Sequence, residues 1–572
     1  MKACLVLITI FLSINIFASK INELSLDNFA RIETLHEGRI KPIDTFSRIM
    51  LKEIYGRESY QHLNSNQWLL ETIFSPKKAY ERKIFKINNP NILTTLGLKS
   101  DQKYFNFIEI YQAFSQNQEM LHSLLSVNEK DLDPNNAYLK DLYNRFTTYM
   151  GLSRSFSFLF KDFSIQNNLR YSYFDLKKIQ NPNIPKPIQD YFSITEEDST
   201  LKGIYLFHSI KDDTWRTPWE EMQASNTNRE HLEKWNQLYL AYSQNNFSQF
   251  NNLSSELVIQ KNDLKINLEI LQNKIYFSTW IISLYVASFL LIFFHILIKK
   301  QIFVELSSLT LYSGAIIHFL MILMRSIILS RPPVSNLYES ILFVSFTSVL
   351  IGVIYFLKTQ KIIGIFLSSI LGVTLLYLSQ GYERTGDNMG MIVAVLDTNF
   401  WLATHVLTIS IGYGFALVMS FMAHYYLIQY PTQTKEENRK LHNNIHLTLL
   451  FSLFFTVLGT ILGGIWADQS WGRFWGWDPK ENGALLICLW LLWVAHAKIS
   501  RHFKDLSYAF FVGLTSVIVI LAWFGVNLLN VGLHSYGFSN DTAMSIAVFS
   551  SIELCVLTLL FIRAKKFQKE LT

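Results

Sequence analysis

Nine apolar runs, each near the ~20 residues a helix needs to cross a bilayer, fill the second half of this chain. They lie at roughly 276–298, 302–324, 338–356, 361–379, 401–428, 447–466, 479–498, 507–528 and 544–563. Hydrocarbon offers no partner to a backbone N–H or C=O, so runs of this length fold as helices whose hydrogen bonds close within each segment. The connections between them alternate in charge. Lys299/Lys300, Lys358/Lys361, Lys435/Arg439/Lys440, Lys498/Arg501/Lys504 and Arg563/Lys565/Lys566/Lys569 put 14 basic residues on one side. The other side holds five: Arg325, Arg331, Arg384, Arg473 and Lys480. The positive-inside rule assigns the richer side, and with it the C-terminus, to the cytoplasm.

The first half is different in kind: Lys20–Lys274 is mixed, polar and Asn-rich. Residues 1–19 carry Lys2, an apolar stretch to Phe17, then Ala18 and Ser19, which is the pattern of an export signal or anchor. Cleavage after Ala18 would place the large Ile16 at −3, so a cleaved signal and a retained anchor both stay open. The fold class expected is an α-helical polytopic membrane protein of about nine transmembrane helices with an N-terminal, mostly helical extracytoplasmic domain. Its parts are 1–19, the extracytoplasmic domain 20–275 and the membrane domain 276–572. Tyr104–Leu125 and Arg229–Leu271 read as helical, and Asn181-Pro-Asn-Ile-Pro and Asp131–Asn136 as turns. Cys4, Cys488 and Cys555 all lie in apolar runs, and no C-x-x-C-H occurs, so the chain carries no covalent haem by the usual attachment motif. His36–Arg48, H-E-G-R-I-K-P-I-D-T-F-S-R, carries no chemistry assignable from its residues; it is either structural or a docking surface.

Trp466–Asn482 reads W-A-D-Q-S-W-G-R-F-W-G-W-D-P-K-E-N, on the outer side by the charge pattern. Tryptophans crowded among charges at an interface suit a flat, amphipathic ligand, and haem fits that description. Asp478-Pro479-Lys480-Glu481 is by itself a helix start, with Asp at N-cap, Pro at N1 and Glu at N3. That leaves Trp466, Trp471, Gly472, Arg473, Trp475, Gly476 and Trp477 as the candidate platform. Its glycines would admit a ring close to the backbone, and Arg473 or Lys480 would pair with propionates. Of nine histidines in the membrane half, only His405, about one turn into the fifth span, and His534, past the outer end of the eighth, are level with it. Two such histidines are the candidate axial ligands of one haem iron.

W-G-R-F-W-G-W-D-P-K-E resembles the tryptophan-rich signature of the haem-handling membrane proteins of cytochrome c maturation, and D-P-K-E is similar to the CcsA/ResC branch of the system II synthase. Trp401-Leu-Ala-Thr-His-Val, Gly532-Leu-His-Ser-Tyr-Gly and Pro333-Val-Ser-Asn-Leu-Tyr-Glu-Ser extend the likeness over roughly 300–565. Phe474, Asp468-Gln469 and Asn482-Gly483 depart from the family pattern, and D-P-x-E-N is also similar to the CcmF branch of system I. The resemblance implies that His405 and His534 ligate haem above the tryptophan segment. It further implies that His496, three residues after Trp493 on one helical face, binds haem entering from the cytoplasm. The bland reading of His496 is a side chain reaching the inner surface near Lys498. Its partner ligand is either His295, at similar depth in the first span, or a residue of a CcsB/ResB-type protein.

The function so implied is cytochrome c maturation in the cytoplasmic (inner) membrane. Haem b crosses or lodges in the helix bundle and is presented outside for thioether attachment to the C-x-x-C-H motif of apocytochrome c. Synthase (haem lyase) activity needs positioning only, since the substrate supplies the thiols. The implied partners are haem, apocytochrome c, a CcsB/ResB-type membrane protein, a thioredoxin-like reductant protein and the lipid bilayer, and no nucleic acid. The rival readings are a system I-like haem lyase component, a quinol electron-transfer subunit with a permanent bis-His haem, and a haem or solute exporter.

Overall fold

The computed structural model describes residues 26–128, 132–159, 164–165, 169–170, 203–209, 213–223, 229–259, 263–383, 387–392, 396–525 and 540–571. The export segment 1–19, the turn 181–185 and His534 lie outside the described residues. Among the described residues the chain divides into two compact units, one running to Lys274 and also taking in 387–391, the other taking the rest.

The first unit opens with an antiparallel hairpin, β1 (Glu33–His36) and β2 (Arg39–Pro42). Its two turn residues, Glu37 (φ 50) and Gly38 (φ 75), both take the left-handed conformation that matches strand twist in a two-residue turn. Pro42 leads into α1 (Ile43–Tyr55). Helix 134–154 starts as its sequence dictates, with Asp133 accepting from Asn135 and Asn136 N–H groups and Pro134 in the first turn. The stretch read as helical over Tyr104–Leu125 is so from Phe107 on, after Tyr104–Phe105 pair with Phe85–Lys86. Helices Phe107–Gln116 and Gln118–Leu125 follow, the first fixed by an Asn106/Glu109 capping box. Arg229–Leu271 is likewise three helices, Arg229–Ser243, Phe247–Leu257 and α2 (Leu264–Lys274), broken first at Asn245 (φ 55). Aromatic rings dominate the core: Phe107 stacks on Phe146 at 5.0 Å, and Phe74 meets Phe156, Trp235 and Tyr239 edge-on.

Charge is buried in this unit too. Lys41 is fully covered and lies 2.7 Å from Asp387, and Arg39 forms a two-bond fork with Glu269 at 2.7 and 2.9 Å. Burial alone would raise the Asp387 carboxyl, but Lys41 and Arg39 outweigh it and hold the group below the ordinary carboxylate range. His36, whose Nδ1 lies 3.1 Å from Lys41 Nζ, is pushed down to about 4, first by burial and then by that ammonium.

The second unit holds nine helices long and apolar enough to cross a membrane among the described residues, one in each of the nine apolar runs, and the protein is a multi-pass membrane protein. They are α3 (Phe277–Ile298), α4 (Ile302–Leu329), α5 (Leu337–Thr359), α6 (Ile363–Glu383), α7 (Leu407–Gln429), α8 (Lys435–Trp471), α9 (Pro479–Ile499), the pair α10 (Asp505–Gly513) and α11 (Thr515–Trp523), and α12 (Asn540–Leu571). The sixth runs unbroken for 37 residues, so His442 and His446, expected in a connection, sit on helix. The eighth breaks at Leu514 (ψ −11), where its direction is reset before α11. Helix α7 is the hub: it packs on α5, α6, α8, α10, α11 and α12. Its stripe Ala416, Met419, Ala423 and Leu427 is fully buried, at helical spacing.

Candidate functional site

His405 lies in a π-helical turn, Leu402–Val406, that joins Asn399–Trp401 to α7. Such turns insert one residue into a helix and are frequent at functional positions. The ring points at α8, with Nδ1 2.8 Å from the Gly459 carbonyl. A carbonyl only accepts, so Nδ1 carries the proton and Nε2 carries the lone pair. Ligating histidines are prepared in this way, with the carbonyl fixing tautomer and ring orientation. The approach depends on missing side chains: a Cβ on Gly463 would stand 2.6 Å from His405 Cε1. Trp466 closes the same side, its ring centroid 5.7 Å from that of His405. Its Nε1 is buried with no hydrogen-bond partner among the described residues, a state that costs about 1–3 kcal/mol unless a ligand supplies the acceptor.

The tryptophan loop folds back onto the same helix. Gly472 (φ 68) ends α8 in the left-handed conformation, its N–H bonded to the Asp468 carbonyl. Phe474 then lies across Gly464, where a Cβ would stand 2.6 Å from its Cζ. The rings of His405 and Phe474 thus rest on consecutive glycines, which brings the loop beside the histidine. Arg473 curls over the loop, and Gly476 leaves room for its guanidinium. Trp475 and Trp477 meet edge-on at 6.1 Å, and Trp477 is 70% exposed. Its φ of 57 is a strained position for an aromatic residue, held by the Asn482 side chain donating to its carbonyl at 3.0 Å.

The capping box at the start of α9 forms as its sequence requires: Asp478 accepts from the Lys480 N–H, and Glu481 accepts from the N–H groups of Asp478 and Gly476. Lys480 Nζ is engaged elsewhere, donating to the Trp523 carbonyl at 2.8 Å. Trp401 Nε1 donates to Gln469, a second tie between the π turn's approach and the end of α8. Trp471 is partly buried in the last turn of α8.

His295 and His496 stand on helices that pack against different neighbours. His295 Nδ1 donates to the Lys300 carbonyl at the end of α3, which packs on α4 and α6. His496 is exposed on α9, which packs on α8 and α11. It shares its outward face with Leu489, Leu492, Trp493 and Ile499. Aromatic contacts tie Trp493 to Trp490, Phe503 and Phe511. The glycine spacing Gly459, Gly463, Gly464 was not singled out from sequence, although small residues four apart are the usual signal for close approach in a membrane helix. Pro333–Ser340 is explained by burial: Glu339 pairs with Arg325 at 2.9 Å, side chains 0% and 1% exposed, and also accepts from Ser335, while Asn336 caps α5.

Residues 334–534 match the cytochrome c assembly protein family. A CcsA cytochrome c biogenesis protein of Guillardia theta is 30% identical over 236 residues, covering 36% of this chain and 77% of that protein. The chain belongs to the CcsA family of cytochrome c biogenesis proteins. The family match opens within the buried Pro333–Ser340 segment and closes at His534, so it encloses the π turn and the tryptophan loop. CcsA of Chlamydomonas reinhardtii is 27% identical over 36% of this chain and 62% of its own length. NrfI of Wolinella succinogenes is 22% identical over 526 residues, 87% of this chain but about half, 53%, of NrfI. That span is too long for the membrane half alone and takes in part of the first unit. Membership in the CcsA family gives this chain a role in cytochrome c maturation.

Proposed function

We propose that this CcsA-family chain holds haem b at the outer face of the cytoplasmic membrane, with His405 Nε2 as one axial ligand and His534 as the other. It presents the haem to the C-x-x-C-H segment of an apocytochrome c. The observation that carries the reading is the 2.8 Å bond from His405 Nδ1 to the Gly459 carbonyl, which leaves the lone pair on Nε2 beside the aromatic loop. Each substrate thiol adds across a haem vinyl group: a C–S bond forms, the S–H bond breaks, and the hydrogen ends on the other vinyl carbon. No oxidant or enzyme nucleophile enters this balance. The chain's contribution is orientation and effective concentration. The histidine of the incoming motif replaces one axial ligand and so favours release.

The N-terminal unit is extracytoplasmic and the C-terminus cytoplasmic in this reading, supported by the charge asymmetry of the connections. His496 is the inner ligand. Its outward aspect on α9 suits a second ligand from a CcsB/ResB-type membrane protein, which would complete the synthase, rather than from His295. Arg473 and the Trp466 N–H are the groups available to propionates, with Lys480 held by the Trp523 carbonyl. A thioredoxin-like reductant keeps the substrate thiols reduced. Detergent-purified chain should show a low-spin, bis-His haem spectrum that His405→Ala and His534→Ala each abolish and imidazole restores. A spectrum unchanged in either variant sinks the reading.

A further inference from the structure

The His36–Arg48 stretch, which the proposed function leaves unused, forms a clamp. Arg39 reaches Glu269 on α2, a helix that ends three residues before α3 enters the membrane. Lys41, two residues on and on the same face of β2, reaches Asp387 at 2.7 Å, in the connection between α6 and the π turn. Arg39 also lies 3.9 Å from Asp387, so the two prongs share one buried network. The hairpin turn takes part, because a Cβ on Gly38 would stand 3.3 Å from Met391 Cγ, where the same connection lands. His36 meets Phe46 edge-on and lies 3.1 Å from Lys41 Nζ, so it borders the network. Four charges with side chains 0–10% exposed are a poor investment for stability alone, and such networks are best attested as devices that fix one register.

We propose that Asp387 is a positioning residue for the outer haem site. By holding the connection to β2, the clamp sets where the chain enters the turn that carries His405, 18 residues further on. The proposal rests on the reading of His405 as a haem ligand. Asp387 touches no reacting group; it acts through the chain that follows it.

The test uses the full-length chain purified with haem, carrying Asp387→Ala, Asp387→Glu, or the double change Lys41→Met/Asp387→Leu, which removes both charges in case the single variant fails to fold. Trypsin cleavage after Arg384 reports the connection, and the low-spin band with its reduction potential reports the site. Asp387→Ala should raise cleavage roughly tenfold and reduce the low-spin fraction, with Asp387→Glu restoring both. Faster cleavage with an unchanged spectrum and potential in Asp387→Ala and the double variant overturns the proposal and leaves the haem reading standing. A wild-type chain with no His-ligated haem overturns the haem reading itself and the proposal with it.

Discussion

Gly463→Ala is the sharpest perturbation of the proposed haem site, because it adds one carbon and nothing else. That Cβ would stand 2.6 Å from His405 Cε1 and 3.0 Å from Nδ1. Carbon atoms settle at about 3.5–4.0 Å, so the ring must retreat by about 1 Å. Gly459 and Gly463 are one turn apart on the same face of α8, and retreat from one is retreat from the other. The 2.8 Å bond to the Gly459 carbonyl then lengthens to about 3.8 Å and ceases to be a hydrogen bond. Crowding of this kind costs about 1–3 kcal/mol, which is roughly 5–150-fold in an equilibrium constant. With the tautomer no longer fixed, haem titrated into the purified chain should bind more weakly by that factor, and the low-spin band should lose intensity. Gly381→Ala is the control, since no heavy atom lies within 4 Å of its Cβ. A Gly463→Ala protein that binds haem as the wild type does, with the same band, would refute the assignment of this contact to ligand positioning.

Gly464→Ala meets the Phe474 ring instead, and that ring is 49% exposed and can swing away; the same titration should show a smaller loss than Gly463→Ala. Glu339→Leu takes the carboxylate partner from the buried Arg325 guanidinium, a loss of about 3–5 kcal/mol, and should sharply lower the melting temperature and yield in detergent. Asp478→Ala removes the N-cap of α9 and should cost about 1 kcal/mol, read as a small drop in the same melt. His36 binds its proton at about 4 when folded, against 6.5 ordinarily. The unfolded chain therefore takes up that proton first as pH falls. Its share of stability is complete above pH 6.5, declines between 6.5 and about 4 by up to about 3 kcal/mol, and is flat below. Melts of His36→Gln should lack that segment, and identical wild-type and variant profiles would remove His36 as its cause.

Hydropathy made the membrane half readable because a spanning helix satisfies its own backbone, so length and apolarity alone announce it. The Asp478 cap and the Asp133–Pro134 start were equally local and equally legible. His405 can be proposed from sequence because depth in the bilayer is a one-dimensional quantity that charge counting supplies. What stayed hidden depends on which segments meet. Gly463 became meaningful only once the π turn laid an imidazole on it, and Phe474, a departure from its relatives by sequence, turned out to anchor the loop on Gly464. Asp387 reads as an ordinary loop carboxylate until Lys41, 346 residues away, is found beside it. The break at Leu514 has no proline or glycine at its own position to announce it; Gly513 precedes it by one residue.

The extra residue in 402–406 separates two settings that a regular helix would lock together. In an uninterrupted helix, turning the histidine means turning the whole fifth span, because each residue is fixed at about 100° from the next. With the π turn between them, deleting one residue there would swing the histidine to another face while α7 kept its seams with its neighbours. Insertion or loss of a single codon is thus a route by which this scaffold can re-aim the histidine proposed as haem ligand, or discard it, and still assemble in the membrane.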